Sequence, residues 1–321
     1  MFLFGRGGIS SRVYYRIMSK TFFFGAGSLI TAAFIFSFFG VITRIIGFNI
    51  PLFYQSWTRN LLCVFILAIP FTLSITRWKK TSLRDLKWIA ARSFGGTIAF
   101  VGSYLSFFYL PLGTVLFIFY GGSTIGGYVL GYFFFKERLN RIKLVSLLLA
   151  LGGLLLIYLL NIKILAPLYM AFSFIAGLGV SIWNTFSKKI SHRYSAIQLN
   201  LHDFFFVFVF MLILSLIFRE KWTMPTFSTP WLANAGFVVF FISTGQLMIW
   251  GFKHIEAQVG SLIMLSEILF GILIGYLFFK ETITVFTLLG GMLIITAILL
   301  PEIAKSQPTL RLGGTDLTDF D

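Results

Sequence analysis

Residues 131–137 read GYFFFKE and residues 275–281 read GYLFFKE, identical at six of seven positions and 144 residues apart. The same spacing carries Gly127 onto Gly271, Val115 onto Val259 and Trp78 onto Trp222 without a gap. A 321-residue chain holding two copies of so long a unit is a duplicated molecule. Both copies are apolar. The chain is 58% hydrophobic and 12% charged, against about 25% charged in a soluble domain, so it cannot clothe itself in a water-facing surface. Duplicated membrane units of this kind are the mark of carriers whose substrate site lies where the halves meet.

A spanning helix needs about 20 apolar residues. Ten stretches reach or nearly reach that length: 22–42, 52–75, 88–110, 114–135, 144–160, 165–186, 197–218, 231–252, 259–279 and 285–300. The fifth and tenth are short, and they hold equivalent places in the two copies. No alternating pattern appears, which argues against a β-barrel. The expected fold is therefore an all-α integral membrane protein with ten transmembrane helices, arranged as two inverted-topology five-helix repeats over 22–160 and 165–300. A basic cytoplasmic tail is expected over 1–21 and a polar cytoplasmic tail over 301–321. The first run outlasts the roughly 7–15 apolar residues of a signal peptide and reads as a retained helix. Cys63 is the sole cysteine, which excludes an intramolecular disulfide and a Cys-rich metal site.

The net charge of +15 invites a nucleic-acid reading, but its distribution argues for orientation instead. With the N-terminus inside, twenty lysines and arginines, Arg92 among them, fall in segments on that side. Five fall on the other, and Arg59 lies within a span. That bias places both termini in the cytoplasm and assigns the basic excess to anionic headgroups. Five helices per copy is an odd number, so the second copy enters the membrane upside down. Its charges agree: Lys136, Arg138, Arg141 and Lys143 follow the first motif, whereas Lys280 is followed by Thr282, Ile283, Thr284 and Val285. Gly122 and Gly126, Gly127 and Gly131, and Gly271 and Gly275 are spaced to let helices pack closely in lipid.

With two inverted repeats and a Lys-Glu pair closing the fourth helix of each, the chain resembles the ten-helix EamA-type branch of the drug/metabolite transporter superfamily. The resemblance runs over residues 22–300 and is carried by 131–139, by 275–282 and by the small-residue run at 289–300. The connection Leu110-Pro111-Leu112-Gly113 is also similar. The chain departs from the family at Thr124 and Ile268, where relatives often have proline. The resemblance implies a secondary active transporter, an exporter or exchanger, of a small organic metabolite such as an amino acid or nucleotide-related compound in the plasma membrane. It does not rank the substrates.

Charged groups within the hydrocarbon cost about 2.5–3.5 kcal/mol each at a helix centre and mark functional positions by default. Glu267 lies near the middle of the ninth span, where it would serve as a proton-coupling group or bind substrate, or else hydrogen-bond a neighbouring helix. Arg59 and Asp203 are repeat equivalents, placed either to bind substrate or to serve as an interfacial anchor or a helix–helix ion pair. Trp57, Arg59 and Asn60 make one polar and aromatic cluster, and His202 and Asp203 belong to its duplicate. His202 has no close second histidine, so no metal is expected, nor any cofactor. Tyr120, Trp183, Asn184 and Gln246 are further candidates to line a cavity between the repeats. Lys136 and Glu137 read as structural. No Walker motif or HExxH occurs, which argues against ATP drive and against an intramembrane metalloenzyme. A channel or membrane scaffold is the competing class. The expected partners are a small-molecule substrate, protons or an exchanged metabolite, and membrane lipids, without nucleic acid, in a monomer.

Overall fold

A computed structural model describes residues 11–47, 49–159 and 166–306. Arg6, Lys163, Arg311 and most of the polar tail over 301–321 lie outside the described residues. Helical segments make ten passes, and no strand occurs among the described residues. The first pass is α1 (Ser11–Ser37) with α2 (Phe39–Ile46), and the second is α3 (Leu52–Thr72). Next come α4 (Leu83–Tyr109), α5 (Leu112–Phe135) and α6 (Arg141–Tyr158). The second half has α7 (Pro167–Ile190), α8 (Ala196–Ile217) and α9 (Thr229–His254). Its ninth pass is split into α10 (Ala257–Met264) and α11 (Ser266–Phe279), and α12 (Val285–Ser306) ends the described chain. The first helix thus starts within the stretch read as a tail.

Local chemistry sets the ends. Ser82, Asn140 and Ser195 cap α4, α6 and α8 by accepting from Asp85, Lys143 and Gln198 amides. Both GYxFFKE runs finish in the same way: Lys136 and Lys280 adopt the left-handed conformation, each with φ 54°. The next amides, of Glu137 and Glu281, turn back onto the carbonyls of Gly131 and Gly275. The motif is therefore a helix stop, with each glutamate folded back across its own glycine.

The passes pair with two-fold pseudo-symmetry. α4 packs along α7, and their counterparts α9 and α1 pack together; α3 packs on α8, α6 on α12 and α5 on α10. Advancing by five passes maps this set onto itself. The α6–α12 crossing is closest at two glycines: a Cβ on Gly153 would sit 2.7 Å from the Gly290 carbonyl oxygen, and one on Gly290 would sit 2.5 Å from that of Gly153. Large apolar side chains such as Phe133, Phe205, Ile217 and Leu277 face outward, as a lipid-embedded bundle requires.

Among the described residues, nine passes are long and apolar enough to cross a membrane. α4, 27 residues long, falls short because Arg92, Ser93, Gly95, Gly96 and Thr97 interrupt its apolar run. Arg92, Ser93 and Thr97 are buried in the bundle rather than turned to lipid. Arg92 therefore belongs to the interior, not to the flanking basic segment in which it had been counted.

Candidate functional site

The helix α3 places Ser56, Arg59, Asn60 and Cys63 on one face, three and four residues apart, and all four are buried. Arg59 is 2% exposed. It donates to Asn234 Oδ1 at 3.4 Å and to the Tyr104 hydroxyl at 3.3 Å, both long bonds. Its guanidinium carbon lies 4.3 Å and 4.8 Å from the ring centres of Phe237 and Phe241. Its Nε has no acceptor, and no carboxylate pairs with it among the described residues. Cation–π contacts return about 2 kcal/mol when desolvated, whereas burying an ion costs several. The charge is under-compensated. Ser56 Oγ, Trp57 Nε1 and Asn60 Oδ1 are likewise buried without partners, a density of orphaned polar atoms that calls for an explanation beyond packing. Trp57 packs against Tyr54 and Trp222, each with ring centres at 5.3 Å.

Asp203, the repeat equivalent of Arg59, is in the opposite condition. It is ion-paired with Arg92 of α4. It also accepts from Ser93 Oγ at 2.7 Å and from Trp183 Nε1 at 2.8 Å. Arg92 in turn donates to Ser187 Oγ at 2.7 Å and to Asn200 Oδ1 at 3.3 Å. The comparison is sharp because Phe237 and Phe241 stand 144 residues after Ser93 and Thr97. In one half an acid meets an arginine and a hydroxyl. In the other half an arginine meets two phenyl rings.

Glu267 opens α11, just after the break at Leu265. There the ladder tightens to i→i+3 bonds, with the Leu265 amide on the Leu262 carbonyl at 3.0 Å and the Ile268 amide on the Leu265 carbonyl at 3.1 Å. Glu267 faces the Tyr120 hydroxyl, with Tyr158 close by. All three side chains are half-buried.

Among the other expected residues, Asn184 Oδ1 and Gln246 Nε2 are buried without partners. His202 donates Nδ1–H to the Gln198 carbonyl at 2.7 Å and lies 5.2 Å from the Trp78 ring. Glu137 does more than end a helix. It accepts from the Ala257 and Gln258 amides at 2.8 and 3.1 Å, capping α10, and pairs with Lys188 at 2.8 Å. Lys143–Glu256 at 2.6 Å and Asp85–Arg193 at 2.8 Å lie at the same basic end. Each of these three pairs joins the first repeat to the second. At the opposite end Glu220 caps α3 through the Phe53 and Tyr54 amides at 2.9 and 2.7 Å. Tyr104, Asn234, Phe237, Arg92 and Tyr158 carry no spacing signal in the sequence; they join the clusters only because α4, α6 and α9 pass there.

Residues 167–301 match the EamA-like transporter family. A relative, the uncharacterized transporter YoaV of Bacillus subtilis (strain 168), is 28% identical over 188 residues, which cover 56% of this chain and 63% of that protein. The chain thus spans less than two thirds of its curated relative. A chain in a solved crystal structure aligns over 90% of this chain and 99% of its own, with a TM-score of 0.70 and 14% identity; at that identity the likeness is one of fold. The family match over the second repeat, the shared motif at the end of each fourth helix and the ten-pass fold agree with one another: the second half of this chain is similar to the EamA-like transporter family, and the whole chain has the fold of the solved relative.

Proposed function

We propose that this protein is a secondary active transporter of a small organic metabolite carrying an anionic group, and that it works by alternating access between the units over 22–160 and 165–300. The observation that carries this reading is Arg59, a buried guanidinium without a carboxylate at the position whose repeat equivalent is fully paired. A planar guanidinium suits two-pronged recognition of a carboxylate or phosphate, which amino acids and nucleotide-related compounds both supply. Trp57 and the Phe237 and Phe241 rings provide apolar walls, and Asn60 an acceptor. Glu267 sits beside a broken helix and faces the Tyr120 hydroxyl, a setting suited to proton exchange. The charge bias supports an orientation with both termini cytoplasmic, and the family resemblance points to the plasma membrane. The basic-end ion pairs then form the cytoplasmic closure.

The test is a thermal-stabilisation screen of the purified protein against amino acids, nucleosides, nucleotides and amines. Anionic compounds should stabilise the wild type, and Arg59→Ala should lose that response by ten-fold or more in apparent affinity, about 1.4 kcal/mol. Stabilisation by neutral amines alone, unchanged in Arg59→Ala, would overturn the reading. Non-saturable leak from liposomes would mark a channel.

A further inference from the structure

We propose that the basic end holds a second binding site, for a phosphate-bearing anion, in a cleft that joins the two repeats. The cleft has a volume of about 470 Å³ and is bounded by the connections 73–82 and 191–195 and by the end of α9. That volume lies in the range of ligand pockets. Arg77, Lys79, His192, Arg193 and Lys253 line it, together with Ser191.

The charges there are not balanced. Asp85 answers Arg193 at 2.8 Å, and Lys79 Nζ is spent on the Arg193 carbonyl at 3.0 Å. Arg77 and Lys253 have no carboxylate among the described residues. Ser191 is 6% exposed, and its hydroxyl, in the wall of the cleft, has no partner. The N-terminus of the 22-residue α8 begins at the same wall, at Ser195, and adds positive potential. Partial desolvation and the neighbouring Lys253, His254 and Lys188 hold the His192 imidazole below its usual range. Cations converging from three segments fit a multiply accepting tetrahedral group better than a single carboxylate. The cleft opens beside the ion pairs that close this end, so an occupant would tie Arg77 of the first repeat to Lys253 of the second. This site is separate from Arg59 and does not depend on the transported substrate.

Two sources offer the chemistry: an anionic lipid headgroup at this depth, or a soluble phosphate. The experiment uses the purified full chain. Native mass spectrometry after extraction from vesicles of equal phosphatidylcholine and phosphatidylglycerol reads lipid retention, and thermal shift in neutral detergent reads inorganic phosphate. The double variant Arg77→Gln/Lys253→Gln removes the two unanswered charges at the cleft. Lys80→Gln/Arg84→Gln removes two exposed charges at the same end, outside the cleft, and controls for bulk charge. Ser191→Ala tests the orphan hydroxyl without altering charge. We expect the double variant to lose retention or phosphate response by ten-fold or more, Ser191→Ala to lose about three-fold, and the control to match wild type. Lipid retention alone identifies a headgroup site, and a phosphate response alone identifies a soluble ligand. Equal retention and equal phosphate response in the double variant and the control would overturn the site.

Discussion

Arg59 and Asp203 occupy equivalent positions in the repeats, yet one is solvated by rings and weak neutral acceptors and the other by a full set of charged and polar donors. The difference sets opposite expectations for stability. Asp203→Asn leaves Arg92 buried without its counter-charge and should cost about 3–5 kcal/mol, read as a lower Tm in detergent. Arg59→Met removes a charge that packing does not satisfy and should raise stability by about 0.5–2 kcal/mol while abolishing anion binding. A fall in Tm for Arg59→Met would mean that the arginine is structural. Glu267 gives a third expectation. Glu267→Gln keeps the hydrogen-bonding shape that faces Tyr120 but cannot release a proton. In liposomes it should lose gradient-driven accumulation and retain exchange at equal pH; accumulation with an unchanged pH profile would place coupling elsewhere. Arg59 and Glu267 were legible in the sequence because a charge inside a 20-residue apolar run is conspicuous. Arg92 was not, since it sits at the edge of its run, where a flanking cytoplasmic arginine and a buried one look alike. Tyr104 and Asn234 were not either, because a polar residue at no fixed spacing acquires meaning only from the helix packed against it.

At the scale of elements, the repeated GYxFFKE run makes a helix stop twice but a latch in only one visible form. Glu137 is buried on the α10 amides, whereas Glu281 is exposed. The stop itself was readable from the sequence. What Glu137 reaches was not, because α10 begins 120 residues later. Removing a cap of this kind costs about 0.5–2 kcal/mol, so Glu137→Ala should open the basic end roughly two- to thirty-fold more often. In a Cys63→Ser background, Ser261→Cys, which lies against Gly127, should then react faster with a maleimide applied from that side. An unchanged rate would show that the latch does not hold this end shut. The small-residue runs were expected to pack, and a Cβ on Gly127 would sit 2.6 Å from Ser261 Cβ, whereas one on Gly271 would meet nothing within 4 Å; spacing alone does not say which copy of a repeat finds a neighbour. The neighbouring Asp85–Arg193 pair adds a pH signature. Burial raises the Asp85 carboxyl, but hydrogen bonds from Arg193, Ser82 and Tyr194 outweigh it and hold the group below its ordinary value. The folded state therefore binds this proton less readily than the unfolded state. The pair's contribution is full above the usual carboxylate value of about 3.9 and is lost as pH falls below it. Asp85→Asn should flatten acid destabilisation in that window and leave neutral pH less stable than wild type.

For the whole molecule, two features support an inverted second unit. Helix pairing maps onto itself when advanced by five passes, and an odd number of passes per unit must reverse the second unit. The duplicated motif made the unit length plain, and hydropathy marked all ten passes, α4 as 88–110. α4 is the least apolar of them for the reason that makes it useful: a helix lined by Arg92, Ser93 and Thr97 gives up apolarity to bury polar groups inside the bundle. Equivalent connections should then lie on opposite membrane faces. Asn140 caps α6 through the Lys143 amide at 2.9 Å, and Thr284, its repeat equivalent, accepts from the Thr287 amide at 3.2 Å. The two connections therefore share one local design with different charge, basic around the first and neutral around the second. Leu139 and Ile283 precede these caps and are exposed at 49% and 36%, so cysteines there leave the helix starts intact. In the Cys63→Ser background, a membrane-impermeant maleimide applied to intact cells should label Ile283→Cys and spare Leu139→Cys. In inside-out vesicles the pattern should reverse. Labelling of both from one face would contradict the inverted repeat, and with it the placement of the Glu137 latch and the phosphate cleft on the cytoplasmic side.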